Sequence, residues 1–356
     1  MESVTFAKRN LKSHYMKKIK FICLLTIALG LLMTQSCQRK NADSNDGNAV
    51  YYWKTTFKLN GYERDFLEKH HVTKMYVKFF DVADEWEGVV PVGTLIFLDS
   101  MPQNVEVVPT VFITSDAIKK YDRFMEKMFN RLVTMAETNN VEFHEIQIDC
   151  DWKEESKDAY FAFMKDFRAL LKKHDIALST TIRLFQLEYE VPAADYGVLM
   201  CYNTGEIDDW ETTNSILDPA VVKTYLPKLK GYKLPLSVAF PQFSWDIAFN
   251  KHKSMLHINY NKMGFSDKSR FKKIENNKYE VVSDKNERDD EDDYFDDNYW
   301  NARYFRHEEV SLNDLLEVKD KVLENMSQKP TQVIIYQLDS ANLSNLSDHD
   351  VEKIYR

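Results

Sequence analysis

The chain has 356 residues, 44% of them hydrophobic and 13% aromatic, enough to bury one large core or two small ones. Its 47 Lys and Arg stand against 56 Asp and Glu, a formal net charge of −9, which argues against nucleic acid as a partner. The sequence carries no CxxC, HExxH, phosphate-loop or dinucleotide pattern, so neither a cofactor nor a metal is expected.

The N-terminus reads as a targeting segment. Lys17, Lys18 and Lys20 precede an apolar run over 21–33, followed by Thr34-Gln35-Ser36-Cys37. A basic region, a short apolar region and small residues make a secretory signal over 1–36. The apolar run is too short for a comfortable membrane span. Met16, which opens MKKIKFICLL, is a second candidate start. Ser36-Cys37 resembles a lipoprotein signal, in which Cys37 would carry the lipid and anchor the chain to a membrane. Gln35 departs from that pattern and leaves simple signal cleavage as the alternative. The polar residues 37–48 read as a tether. Losing 1–36 removes six basic residues and one acid, taking the formal charge to about −14. Gln38-Arg39-Lys40 lacks an acidic export signal. The expected location is therefore the bacterial envelope, on an outer membrane and facing the periplasm.

Residues 49–356 read as one domain. AVYYW (49–53) is a first strand, with a helix at 62–69 behind it. KMYVKFFDV (74–82) is a second strand and ends in Asp81. Residues 83–104 show no helical period and read as a loop or hairpin. The third strand is 105–114. Over 116–137, Ile118, Tyr121, Met125, Met128, Leu132 and Met135 recur at three or four, the period of an amphipathic helix.

The next stretch, HEIQIDCDWKEE (144–155), alternates apolar and polar residues and delivers Asp149 and Asp151 at its end. Side chains two apart on a strand share a face, so both acids project together. A strand ending in acids and feeding a helix (156–173) suits the catalytic face of a β/α barrel. Acids that merely face water or cap the helix fit equally well.

Further strands follow at 176–183, ending in Arg183, at 196–203 with Tyr202 and Asn203, at 234–243 with Gln242, and at 332–339 with Tyr336 and Asp339. Helices are expected at 219–226 and 312–325. Eight strands mostly separated by helices predict a (β/α)8 TIM-type barrel, the second helix being the one missing. The pattern breaks between strands seven and eight, where an irregular acidic insertion spans about 250–310. Residues 272–282 could form a hairpin there. The run 284–297 is densely acidic but lacks the glycine and ordered spacing of a calcium loop. Cys150 and Cys201, inside apolar strands, read as buried free thiols.

Asp149-Cys150-Asp151-Trp152-Lys153 resembles the DxDWE end of the strand-four signature of chitinase-like glycoside hydrolases, family 18. Met200-Cys201-Tyr202-Asn203 is similar to that family's strand-six motif, and Tyr336 falls where the family has a floor tryptophan. The segments YYW, KFFDV and VPTVFIT look closest to chitinase-like lipoproteins of Bacteroidetes. The resemblance covers about 49–342 and implies catalytic roles around Asp149, Asp151 and Tyr202. It departs at the decisive place. The glutamic acid that protonates the leaving oxygen in that family is replaced here by Lys153, and Glu154 comes one residue late.

A glycan-binding mouth would then gather Trp53, Asp81, Trp152, Lys153, Arg183, Asn203, Gln242, Tyr336 and Asp339. Trp53, Trp152, Trp210 and Trp245 follow strand ends and could stack on sugars or simply pack. Arg183 could pair with Asp151 or contact a ligand. Two functions fit. One is an envelope lipoprotein that binds or processes an oligosaccharide, with Glu154 as a displaced acid if catalysis survives. The other is a non-catalytic assembly or docking partner of an envelope complex.

Overall fold

The computed structural model describes residues 47–260, 263–282 and 302–356. The signal segment, Cys37 and the acidic run 284–297 lie outside the described residues. Eight parallel strands close into a barrel: β1 (Asn48–Tyr52), β2 (Val72–Glu85), β3 (Glu106–Ile113), β4 (Glu145–Asp149), β5 (Ala177–Arg183), β6 (Tyr196–Met200), β7 (Leu236–Pro241) and β8 (Val333–Tyr336). Closure is made by β1, which pairs with β8 through Ala49–Ile334 and with β2 through Val50–Met75.

The outer layer holds α1 (Gly61–Lys69), α2 (Met125–Thr138), α3 (Lys157–Lys172), α4 (Pro219–Leu229), α5 (Leu312–Asn325) and α6 (Asp348–Tyr355). Local chemistry sets their starts. Asn60 and Glu63 form a reciprocal capping box on α1, while Asp218 caps α4 and Pro219 occupies its first turn. The apolar faces are core: Phe163, Phe167 and Leu171 of α3 are fully buried, as are Leu132 of α2 and Val322 of α5.

The expected single helix over 116–137 is in fact two pieces. A 3-10 segment (Ile118–Arg123) breaks at Lys120 before α2 begins. Tyr121 and Phe124 both meet Phe163 across the break, so the apolar period continues through it and the pattern does not reveal it. Between β2 and β3 a hairpin replaces the helix: β2 outruns β3 and turns back as an antiparallel strand (Gly88–Val92). After β5 only a 3-10 turn (Leu184–Glu188) precedes β6.

The described part of the insertion is a five-stranded antiparallel sheet: Ser244–Phe249, Met255–Asn259, Phe271–Lys273, Lys278–Val281 and Tyr304–Glu309. The hairpin expected at 272–282 is there, pairing Phe271 with Val281. Because the sheet starts three residues after β7, it rises from the C-terminal end of the barrel. Cys150 and Cys201 are buried free thiols.

Candidate functional site at the barrel mouth

Alternation along β4 places Glu145, Gln147 and Asp149 on one face, all buried. Gln147 accepts from the Tyr51 hydroxyl at 2.7 Å, and its own amide nitrogen has no partner. Asp149, 2% exposed, accepts from Thr181 at 2.6 Å. Its neighbour Asp151 accepts from Arg183 Nε at 2.5 Å, and Arg183 Nη2 lies 3.9 Å from Asp149. One guanidinium therefore holds both acids.

Burial pushes the Asp149 carboxyl up to about 6; Asp151 adds to that rise, while Arg183 and Thr181 oppose it. For Arg183 burial works against the charge, but Asp151 and Asp149 outweigh it and hold the guanidinium above its usual range. Arg183 Nη1 is buried without a partner, and so is the Tyr202 hydroxyl.

The floor is aromatic. Tyr202 stacks on Tyr336 with centroids 4.8 Å apart, and the Arg183 guanidinium sits 5.9 Å from the Tyr202 ring. From Tyr336 rings continue in two directions. One leads to Trp53 at 6.0 Å; the other climbs through Phe243 at 5.6 Å to Trp245 and then Tyr260, which is 67% exposed. The rings thus grade from a buried floor, Tyr202, Phe243 and Trp245, to solvent at Tyr260.

The other expected residues divide. Asp81 bonds Lys78 at 3.0 Å, and Lys78 lies over Trp53, so both belong to the rim around β1 and β2. Burial raises the Asp81 carboxyl, Lys78 opposes the rise, and one of its oxygens has no partner. Asp339 caps the short helical turn Ser340–Leu343 and meets Lys54 at 3.3 Å, which also bonds the buried Glu63 at 2.8 Å. Gln242 is buried, its backbone N–H donating to Tyr336 O at 2.6 Å. Asn203, at φ 55°, is exposed and donates its backbone N–H to Ile216 O.

Trp152 is not on the wall. It is buried against Tyr160, Phe161 and Tyr189. Trp210 packs on Phe249 and Tyr304 inside the insertion. Lys153 is exposed; Arg183, not Lys153, supplies the cation paired with the two acids. Glu154 is directed to Lys157 at 3.0 Å, on the first turn of α3.

Sequence reasoning missed Thr181, Gln147, Tyr51, Phe243 and Tyr260. Thr181 and Gln147 were within reach, since each lies two residues before a named residue on the same strand face. A cavity of about 290 Å³ lies at the opposite end, lined by residues from 229–236 and 326–331. It has no acid or nucleophile cluster in its lining and is not the site.

No protein-family model and no curated protein matches this chain in sequence. Among solved structures it is similar to a chitinase of Chromobacterium violaceum (10% identity, TM-score 0.52, covering 86% of this chain and 98% of that one). It is also similar to the spore cortex-lytic enzyme SleL of Bacillus megaterium (11% identity, TM-score 0.50, covering 89% and 76%). At such identities the likeness establishes the fold alone, a closed (β/α)8 TIM-type barrel.

Proposed function

We propose that the protein is a lipid-anchored envelope protein whose barrel mouth binds an oligosaccharide without hydrolysing it. One observation carries this reading. The ring wall ends on a carboxylate pair closed onto Arg183, and the residues next in sequence add no acid to it: Lys153 is exposed and Glu154 is bonded to Lys157. A hydrolase needs a positioned proton donor at the glycosidic oxygen. Asp151 is already engaged by Arg183, and Asp149 is too buried to reach a bound sugar.

An unpartnered donor at the mouth, Arg183 Nη1, supplies hydrogen-bonding capacity to a polar ligand in an apolar cleft. The test is calorimetry and turnover by the wild-type protein on N-acetylated and neutral oligosaccharides. Binding without turnover is expected. Robust hydrolysis that survives Lys153→Ala and is lost in Glu154→Gln would overturn the reading and name a new acid. Neither binding nor turnover would point to a docking partner of an envelope complex instead.

Anchoring through Cys37 is part of the proposal, resting on the sequence of the signal segment. The protein is expected in the membrane fraction, with Cys37→Ala releasing it. One acyl chain binds only marginally, so firm anchoring calls for a multiply acylated cysteine. A mutant that stays with the membrane removes the lipoprotein assignment.

A further inference from the structure

Trp86 is 101% exposed, alone among the large hydrophobic side chains of the described residues in meeting solvent on every side. Its place follows from strand lengths. The last pairing of β2 with β3 is Val82 with Ile113, yet β2 continues to Glu85 and returns through Gly88–Val92. Glu85 pairs with Gly88, leaving Trp86 and Glu87 as a two-residue turn, and Gly88 at φ 106° takes the left-handed backbone that closes it. Four residues beyond Val82, at roughly 3.3 Å each, the indole stands about 13 Å above the last rung shared with β3.

The same strand carries Asp81 at the rim, so the hairpin continues the wall of the candidate site outward. Its charges select an occupant. Asp84 at the base is matched by Lys120, but Glu85 and Glu87 on either side of Trp86 are exposed carboxylates. A bare indole between two acids would be repelled by an anionic lipid surface or an acidic polymer. Its ring offers a flat apolar face, and the flanking carboxylates accept hydrogen bonds, which matches an uncharged sugar with C–H faces and hydroxyl edges.

We propose that Trp86 is a second stacking platform, which holds the outward-running part of a long uncharged glycan whose end occupies the mouth. The proposal rests on the glycan-binding reading above. Wild-type protein, Trp86→Ala and Trp86→Tyr are titrated with a disaccharide and an octasaccharide of N-acetylglucosamine, and separately mixed with anionic and zwitterionic lipid vesicles. Trp86→Ala is expected to weaken octasaccharide binding about tenfold, as a truncated aromatic anchor does, and to leave the disaccharide unchanged. Trp86→Tyr is expected to restore most of the loss. Equal losses for both lengths, or none for either, sink the platform while leaving a glycan-binding mouth intact. Unchanged glycan affinity with loss of vesicle binding assigns the tip to lipid. If the wild type binds neither sugar, the reading of the mouth fails and takes the platform with it.

Discussion

Two arginine–carboxylate clusters in this molecule are built to different standards. In the insertion, Arg306 and Glu308 are 0% exposed, with Nε donating to Oε1 at 2.6 Å. The other Glu308 oxygen accepts from the Ser215 backbone at 2.9 Å, the Ser215 hydroxyl at 2.5 Å and the Trp245 indole at 2.7 Å. The rest of the Arg306 fork reaches the carbonyls of Ile207 and Asp209. At the mouth, Arg183 holds Asp151 and approaches Asp149 but leaves Nη1 unpartnered, beside a Tyr202 hydroxyl in the same condition. A buried polar network that is complete fixes structure; one that is incomplete keeps hydrogen-bonding capacity for a ligand. The first cluster ties the insertion sheet to the loop after β6, and the second is the one that the proposed glycan would complete.

The sharpest way to break this comparison is to open the complete cluster. Glu308→Gln leaves the Arg306 charge buried without its counter-charge and is expected to cost about 3–5 kcal/mol, read as a lowered urea midpoint. A loss below about 1 kcal/mol would show that the cluster is not a staple and would erase the distinction.

A smaller effect is expected at the mouth, and its sign is opposite. The Asp149 carboxyl lies at about 6 in the folded protein against an ordinary 3.8. Between those values the folded state holds the extra proton, so this group's contribution to stability falls as pH rises from about 4 to about 6, then levels off. The limit set by that shift is ~3 kcal/mol. Asp149→Asn mimics the protonated form. It is expected to flatten the profile and to match or exceed wild-type stability at pH 7.5 while losing that advantage at pH 4. Denaturant unfolding of both proteins at the two pH values measures it. A variant less stable than wild type at pH 7.5 by as much as at pH 4 would mean that the carboxylate, not its burial, dominates.

The barrel was legible because its strands announce themselves. KMYVKFFDV and EVVPTVFI are runs dominated by apolar and aromatic residues and mostly buried, and α3 repeats its rings at helical spacing. Asp149, Asp151 and Arg183 were legible because a strand end and a period of two place them. Of the insertion sheet only the hairpin at 272–282 was. The strand Met255–Asn259 is five residues long and carries His and Asn, so it has little apolar signature of its own. The strand Tyr304–Glu309 in the middle of that sheet carries Arg306 and Glu308, whose partners in the loop after β6 lie about 100 residues away in the chain, and no local pattern encodes such pairings. Trp152 misled for a related reason. Following a strand end, it could have faced the mouth, but Tyr160 and Tyr189 give it a buried slot behind the strand.

The smallest expected effect concerns Lys153. If the mouth binds without hydrolysing, Lys153→Glu rebuilds the DxDWE sequence yet should add little turnover, well short of the roughly 10²–10⁴-fold that a positioned general acid supplies. The loop is already committed elsewhere. Trp152 is locked in its aromatic slot, its carbonyl accepts from Gln186, and the Lys153 N–H donates to Ser156 at the start of α3. Asp151, which would have to support a substrate's acyl group, is held by Arg183 at 2.5 Å. A new carboxyl at 153 would therefore enter a loop whose backbone is set by packing on the helix side, next to an acid that is not free to respond. Turnover of N-acetylglucosamine oligomers by Lys153→Glu, measured against wild type at equal saturation, decides it. A gain of a hundredfold or more would show that the mouth still carries the geometry of a hydrolase and lacks only its proton donor.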